Sequence, residues 1–296
     1  MPYGPHTPDD RARMRAALGI ESIEELFSDI PPAVRARRLD LPGPETELEL
    51  SLRLRALAGR NRIDLASFLG AGVYRHYVPA AVDQIVSRGE FYTAYTPYQP
   101  EISQGTLQTI YEYQSMLAEL TGLDAVSASH YDGATATAEA ALMCLRATGR
   151  SRVLVSGAVH PQYVATTRAY LDGSRFALET IPLRSDGTTD LDALERLLAE
   201  AGAPVAGVLV AQPNVFGVLE PMPEAARLAH AAGALFVAVV EPVSLAVLAP
   251  PGAHGADIAA GEGQPLGLPL NYGGPYLGIL AATTALTRQL PGRLDR

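Results

Sequence analysis

The sequence predicts an α/β fold, a mostly parallel sheet sandwiched by helices. Three observations carry this. Continuously apolar runs at 153–155, 205–210 and 235–240 read as strands buried on both faces. Helical segments at 161–171, 190–201 and 223–232 separate them, the alternation that builds a parallel sheet. Polar residues, prolines and glycines gather just after the strands, at 131–137, 156–163, 212–217, 241–244 and 261–274. That rim is where ligands bind in such sheets.

Residues 1–62 read as an N-terminal helical arm. Thr7 or Asp9 caps a helix over 9–18, Ser22 and Glu25 have capping-box spacing, and Pro31-Pro32 breaks the pattern. A helix over 45–57 carries leucines at 48, 50, 52, 54 and 57 among charges, a spacing that predicts cover on more than one side. Residues 63–296 form one large α/β domain. A glycine-hinged, tyrosine-rich loop over 68–79 leads into a helix over 80–87. Residues 91–105 pack four aromatics and two prolines into fifteen positions, the make-up of loops that line sites. A helix over 106–120 and a short strand over 124–129 come next. Tyr131–Thr137 then opens a helix running to 147, and strands are expected at 176–181, 256–259 and 276–281.

One stretch organises the rest. Residues 261–278 hold six glycines and three prolines in eighteen positions, which excludes a helix interior and reads as a tight loop. The whole chain has 23 Lys+Arg, and all of them are arginine. A Schiff base needs a primary side-chain amine, so no aldehyde cofactor can be tethered through a lysine of this chain.

Composition excludes more than it identifies. A net charge of −9 without basic clusters argues against nucleic acid or an anionic membrane as partner. The single cysteine, Cys144, forms no internal disulfide and reads as a small core residue, and metal sites need clusters that are not seen. There is no signal pattern at the amino terminus and no apolar run of about 20 residues, so the chain reads as soluble and cytoplasmic. Gly261–Gly263 has the wrong spacing for a nucleotide fingerprint. His76, His130 and His160 titrate near neutrality and read either as general bases or as satisfied structural histidines. The tyrosine-rich loops read as interface packing, with or without a part in shaping a neighbouring site.

Phe68-Leu-Gly-Ala-Gly-Val-Tyr-Arg-His-Tyr-Val-Pro79, the tyrosine-rich run from Phe91 to Gln108, Val159-His-Pro-Gln-Tyr163 and Gly261-Glu-Gly-Gln-Pro-Leu-Gly267 with Gly273-Gly-Pro275 are long, idiosyncratic strings. In them the chain resembles the glycine cleavage system P-protein family, and within it the α subunit of the split form (subunit 1 of glycine dehydrogenase, decarboxylating). The resemblance spans essentially the whole chain. It implies the aspartate-aminotransferase-like fold of pyridoxal phosphate enzymes (fold type I). It places Gln264 at the family's lysine position and Ala238 at that of the aspartate facing the pyridinium nitrogen, so the chain has no catalytic residue of its own and reads as a pseudo-active half. The Tyr131–Thr137 turn then reads as a plain helix start or a relic of a phosphate site, ahead of a working anion site. By the same resemblance, pyridoxal phosphate resides in a partner β subunit that decarboxylates glycine and passes the aminomethyl group to the lipoyl arm of the H-protein, in an assembly of two α and two β subunits. Tyr74, Arg75, His76, Tyr95, Tyr98, Glu101 and Gln104 are the expected interface or site-shaping residues. The alternative is a purely structural or regulatory pseudo-enzyme subunit. The family continues into a smaller domain after a segment like Pro291–Leu294, so the chain is expected to be shortened there.

Overall fold

The computed structural model describes residues 4–35, 40–66, 68, 70, 72, 74, 76–97, 104–202, 204–272, 274 and 276–294. The chain divides into two compact units, Met1–Ser67 and Phe68–Arg296.

In the first unit, three capping boxes set the helix starts. Thr7 opens α1 (Pro8–Leu18), accepting from the Asp10 N–H at 3.2 Å while the Asp10 carboxylate accepts from the Thr7 N–H at 2.9 Å. Ser22 and Glu25 form the same box, yet the helix they open is a 3-10 helix of five residues, Ile23–Phe27, with Pro31-Pro32 soon after. Thr46 and Glu49 open α2 (Glu47–Ala58). No described residue of this unit is buried, and the five leucines of α2 are exposed. The expected cover on more than one side is therefore not supplied by the described residues of the unit.

The second unit begins with α3 (Ala80–Val86), α4 (Gly89–Tyr92) and α5 (Gln104–Thr121). The alternating part is β1 (Ala125–Val126), α6 (Gly133–Thr148), β2 (Arg152–Ser156), α7 (Pro161–Leu171), β3 (Ala177–Ile181), α8 (Leu191–Ala199), β4 (Val205–Gln212), α9 (Met222–Ala231), β5 (Leu235–Val240), β6 (Ile258–Glu262) and β7 (Gly278–Ala282). The sheet order is β1-β7-β6-β5-β4-β2-β3. Strands β3, β2, β4, β5 and β6 run parallel, β7 is antiparallel to β6, and β1 is antiparallel to β7.

Alternate strand residues feed two layers. Val153, Leu209, Val237, Val239 and Ile258 pack with Ala140, Met143 and Cys144 of α6 and Leu171 of α7. Leu154, Val208, Phe236 and Ala238 pack with Leu194 of α8 and Met222, Ala225 and Ala229 of α9. Leu117 of α5 closes the β1–β7–β6 end with Val126, Ala259 and Ile279. Cys144 is fully buried, as a core residue should be, and burial raises its thiol pKa. Among the described residues no helix is long and apolar enough to cross a membrane, and no three His, Cys, Asp or Glu side chains converge as metal ligands.

The structure corrects one element that matters for the site. Strand β6 covers Ile258–Glu262, so Gly261 and Glu262 are paired strand residues, not loop. Gly261 pairs with Val240 of β5 and Ile279 of β7, and a Cβ there would strike the Val240 carbonyl oxygen. The glycine permits close strand approach; it does not mark a turn.

At the opposite end of the strands, buried Arg152 ties β2 to β3 and α8. Its guanidinium donates to Glu179 at 2.7 and 2.6 Å, to Glu200 at 2.6 Å and to the Leu197 carbonyl at 3.0 Å. The hydrogen bond from Arg152 holds the Glu179 carboxyl below its ordinary range. Replacing Arg152 with methionine keeps the stem and removes these bonds, and is expected to cost about 2 kcal/mol, because both carboxylates can return to water. A depressed carboxyl stabilises the fold above its unfolded pKa, and that contribution is lost as pH falls through the folded one. Urea midpoints taken down to pH 3.5 should therefore fall less steeply in the variant; equal slopes would sink this account.

Candidate functional site

A cavity of about 530 Å³ opens at the carboxyl ends of the parallel strands. Its walls come from the start of α6 (Asp132, Ala134), the start of α7 (His160, Gln162, Tyr163), the end of β4 (Ala211, Pro213, Asn214), the end of β5 (Val239, Val240, Glu241) and the end of β6 (Glu262, Gln264). Gly72, Tyr74, His76, Leu270 and Tyr276 also line it.

Glu262 is the hub. Its Oε2 accepts from the Gly133 N–H, the first amide of α6, at 2.9 Å. Its Oε1 accepts from the Gln264 N–H at 2.9 Å and the Leu277 N–H at 3.3 Å. One carboxylate thus joins the head of α6, the end of β6 and the approach to β7. Burial pushes the Glu262 carboxyl up, against the pull of those three amides. Gly133 is buried, and a Cβ on it would lie 2.8 Å from the Glu262 nitrogen and closer still to the Tyr163 hydroxyl. Burial, with Glu262 and Asp132 nearby, drives the Tyr163 phenol up.

The other acids are also committed. Asp132 caps α6, its Oδ1 accepting from the Thr135 N–H at 2.7 Å and the Thr135 hydroxyl at 2.9 Å. Glu241 accepts from the Val243 N–H at 3.1 Å and the Ser244 N–H at 2.7 Å. The described lining carries three carboxylates and no arginine.

Of the expected residues, Gln264, Tyr74 and His76 reach the cavity. Gln264 is buried and its side-chain amide donates to the Leu268 carbonyl. The His76 ring bonds the Tyr74 carbonyl at 3.2 Å, which requires the proton on Nδ1. Tyr95 is exposed and, like Gln104 at the start of α5, is outside the described lining. Arg75, Tyr98 and Glu101 lie outside the described residues. Ala238, which the resemblance places at the aspartate position, lies on β5. It is fully buried in the α8–α9 layer, facing away from the cavity, and β5 gives the cavity Val239, Val240 and Glu241 instead. His160 uses Nδ1 to accept from the Gln162 N–H at 3.2 Å and leans on Tyr163 with ring centroids 5.4 Å apart. His130 is outside the lining, and burial lowers its pKa. Sequence reasoning held Glu262, Asp132 and Glu241 within its rim segments but singled out none of them. The signal for Asp132 was its place three residues before Thr135 at a helix start; Glu262 is one acid between two glycines, with no spacing to mark it.

The family model for the glycine cleavage system P-protein matches residues 1–295. The chain belongs to the glycine cleavage system P-protein family. A relative named probable glycine dehydrogenase (decarboxylating) subunit 1 from Moorella thermoacetica is 57% identical over 99% of this chain. Its namesake from Geobacillus kaustophilus is 50% identical over 99%. The chain spans 65% of the length of each. A crystal structure of glycine decarboxylase (P-protein) in inhibitor-bound form superposes with TM-score 0.87 at 51% identity, covering 99% of this chain and 65% of that one. A NifS-like protein from Rickettsia africae, at 15% identity and TM-score 0.58 over 77% of this chain and 61% of its own, shares the fold, that of the fold type I enzymes.

Pyridoxal phosphate, the cofactor the family resemblance implies, does not fit the residues of this P-protein family cavity. No lysine exists to hold it. The first amide of α6, a helix head of the kind that attracts an anion, is taken by Glu262. Among the described lining residues the fixed charges are carboxylates, which repel an anion.

Proposed function

We propose that this chain is the non-cofactor-bearing α subunit of glycine decarboxylase in the glycine cleavage system. A β subunit carries pyridoxal phosphate, decarboxylates glycine and passes the aminomethyl group to the lipoyl arm of the H-protein; this chain completes and supports it. The observation that carries the reading is a cavity in the family's ligand position that has no amine and whose helix head is filled by Glu262. The relatives' shared designation as subunit 1 supports a second subunit. So do the exposed leucines of α2, apolar area of the kind that a partner covers. Gln264 stands at the family's lysine position, Tyr74 and His76 form a wall, and Arg75, Tyr95, Tyr98, Glu101 and Gln104 belong to the interface or to loops shaping the partner's site. The reading places the complex in the cytoplasm.

The test is glycine-dependent carboxyl exchange, measured for this chain, for the β subunit and for their mixture. The chain alone should be colourless and inert, and the mixture should exceed either component by at least about 100-fold, since removing a required subunit removes the assembled site. Turnover by this chain alone would overturn the reading.

A further inference from the structure

The missing lysine is one reason a phosphorylated aldehyde does not fit this cavity. The geometry points to a second. We infer that Glu262 is a built-in anion that closes the cavity to phosphate-bearing ligands, so that restoring an amine would not restore their binding.

Helix α6 is 16 residues long, and its dipole and free amides make its head attractive to an anion. That demand is met from within. Both Glu262 oxygens act as acceptors only, one from Gly133 and the other from Gln264 and Leu277, which is the pattern of a carboxylate. The Gly133 amide is already bonded to Glu262, and Gly133 is packed closely against the backbone of Gly261 and Glu262. Asp132 takes the Thr135 amide of the same helix head. A phosphate arriving here would have to displace one carboxylate and then lie beside two others, Asp132 and Glu241.

The inference deepens the α-subunit reading and is tested on this chain alone, so its failure leaves the pairing experiment untouched. The chain has no lysine, which makes Gln264→Lys a singular probe. The variant is incubated with pyridoxal or with pyridoxal phosphate, trapped with borohydride, and read by peptide mass, which separates position 264 from the terminal amine. With Glu262 intact, pyridoxal phosphate should label position 264 no better than pyridoxal. In Gln264→Lys with Glu262→Gln, the preference for the phosphorylated aldehyde should rise at least about 10-fold, the scale of one relieved charge repulsion at intermediate dielectric. An unchanged preference, or preference for pyridoxal phosphate while Glu262 is intact, overturns the proposal. Equilibrium dialysis of the unsubstituted chain gives a reading independent of variant folding. Pyridoxal phosphate binding there 10-fold tighter than pyridoxal would overturn it as well, and binding no tighter than pyridoxal supports it.

Discussion

Substituting Gly133 with alanine is expected to destabilise the second unit by about 3 kcal/mol, at the upper end of overpacking in a well-filled interior. On helix propensity alone the change should help by about 1 kcal/mol, since glycine is a poor helix former. Packing decides against it. The new Cβ would lie 2.8 Å from the Glu262 nitrogen and 2.9 Å from the Gly261 carbonyl carbon, with the Tyr163 hydroxyl nearer still. The first two belong to a strand paired on both sides and cannot give way. Helix α6 would have to lift from β6, which also breaks the bond from the Gly133 N–H to Glu262. Gly105, near the start of α5, has nothing within 4 Å of a Cβ among the described residues. Gly105→Ala should therefore leave stability unchanged or raise it by less than about 1 kcal/mol. Urea midpoints of the two variants make the comparison, and a Gly133→Ala protein as stable as the parent would mean that the head of α6 is not seated on β6.

The layered sheet was legible because its strands are buried on both faces and so read as unbroken apolar runs, as in Val205–Gln212 and Leu235–Val240. The capping boxes of Thr7 and Ser22 were legible as starts, but a box does not say how long the turn it opens will last, and Ser22 opens only a 3-10 helix. The glycine-rich stretch misled at its first two residues. Glycine signals either an unusual φ or a close approach, and composition does not separate the two. Gly267 and Gly274 have positive φ, 146° and 109°, whereas Gly261 is a strand residue pressed on the Val240 carbonyl. Glu262 could not be found from spacing, since its partner Gly133 lies 129 residues away in the chain. Ala238, the position that the resemblance gives for the aspartate, lies on β5. A strand turns successive side chains to opposite layers, so Ala238 packs in the core layer while Val239 borders the cavity.

That alternation yields the other large expected effect. Ala238→Asp, the obvious attempt to rebuild a cofactor site, should destabilise the chain by about 3–5 kcal/mol at neutral pH, the cost of an unpaired charge in an apolar layer. Ala238 is fully buried among Phe236, Val208, Val210, Met222 and Ala225, with Val210 and Ala259 opposite it on the neighbouring strands. That cluster is wholly hydrophobic and offers no side-chain donor. Burial would raise the new carboxyl above the unfolded value of about 3.9, so the unfolded chain would ionise first as pH rises. The penalty is therefore absent below about pH 3.9, grows through the window up to the folded pKa, and is constant above it. Ala238→Asn supplies the comparison of equal size without the charge. The gap in unfolding free energy between the two variants should be wide at pH 7 and narrow by pH 4.5. An aspartate variant as stable as the asparagine one at pH 7 would mean that position 238 reaches solvent or a cation, and the cavity, with its missing ring partner, would have to be redrawn around it.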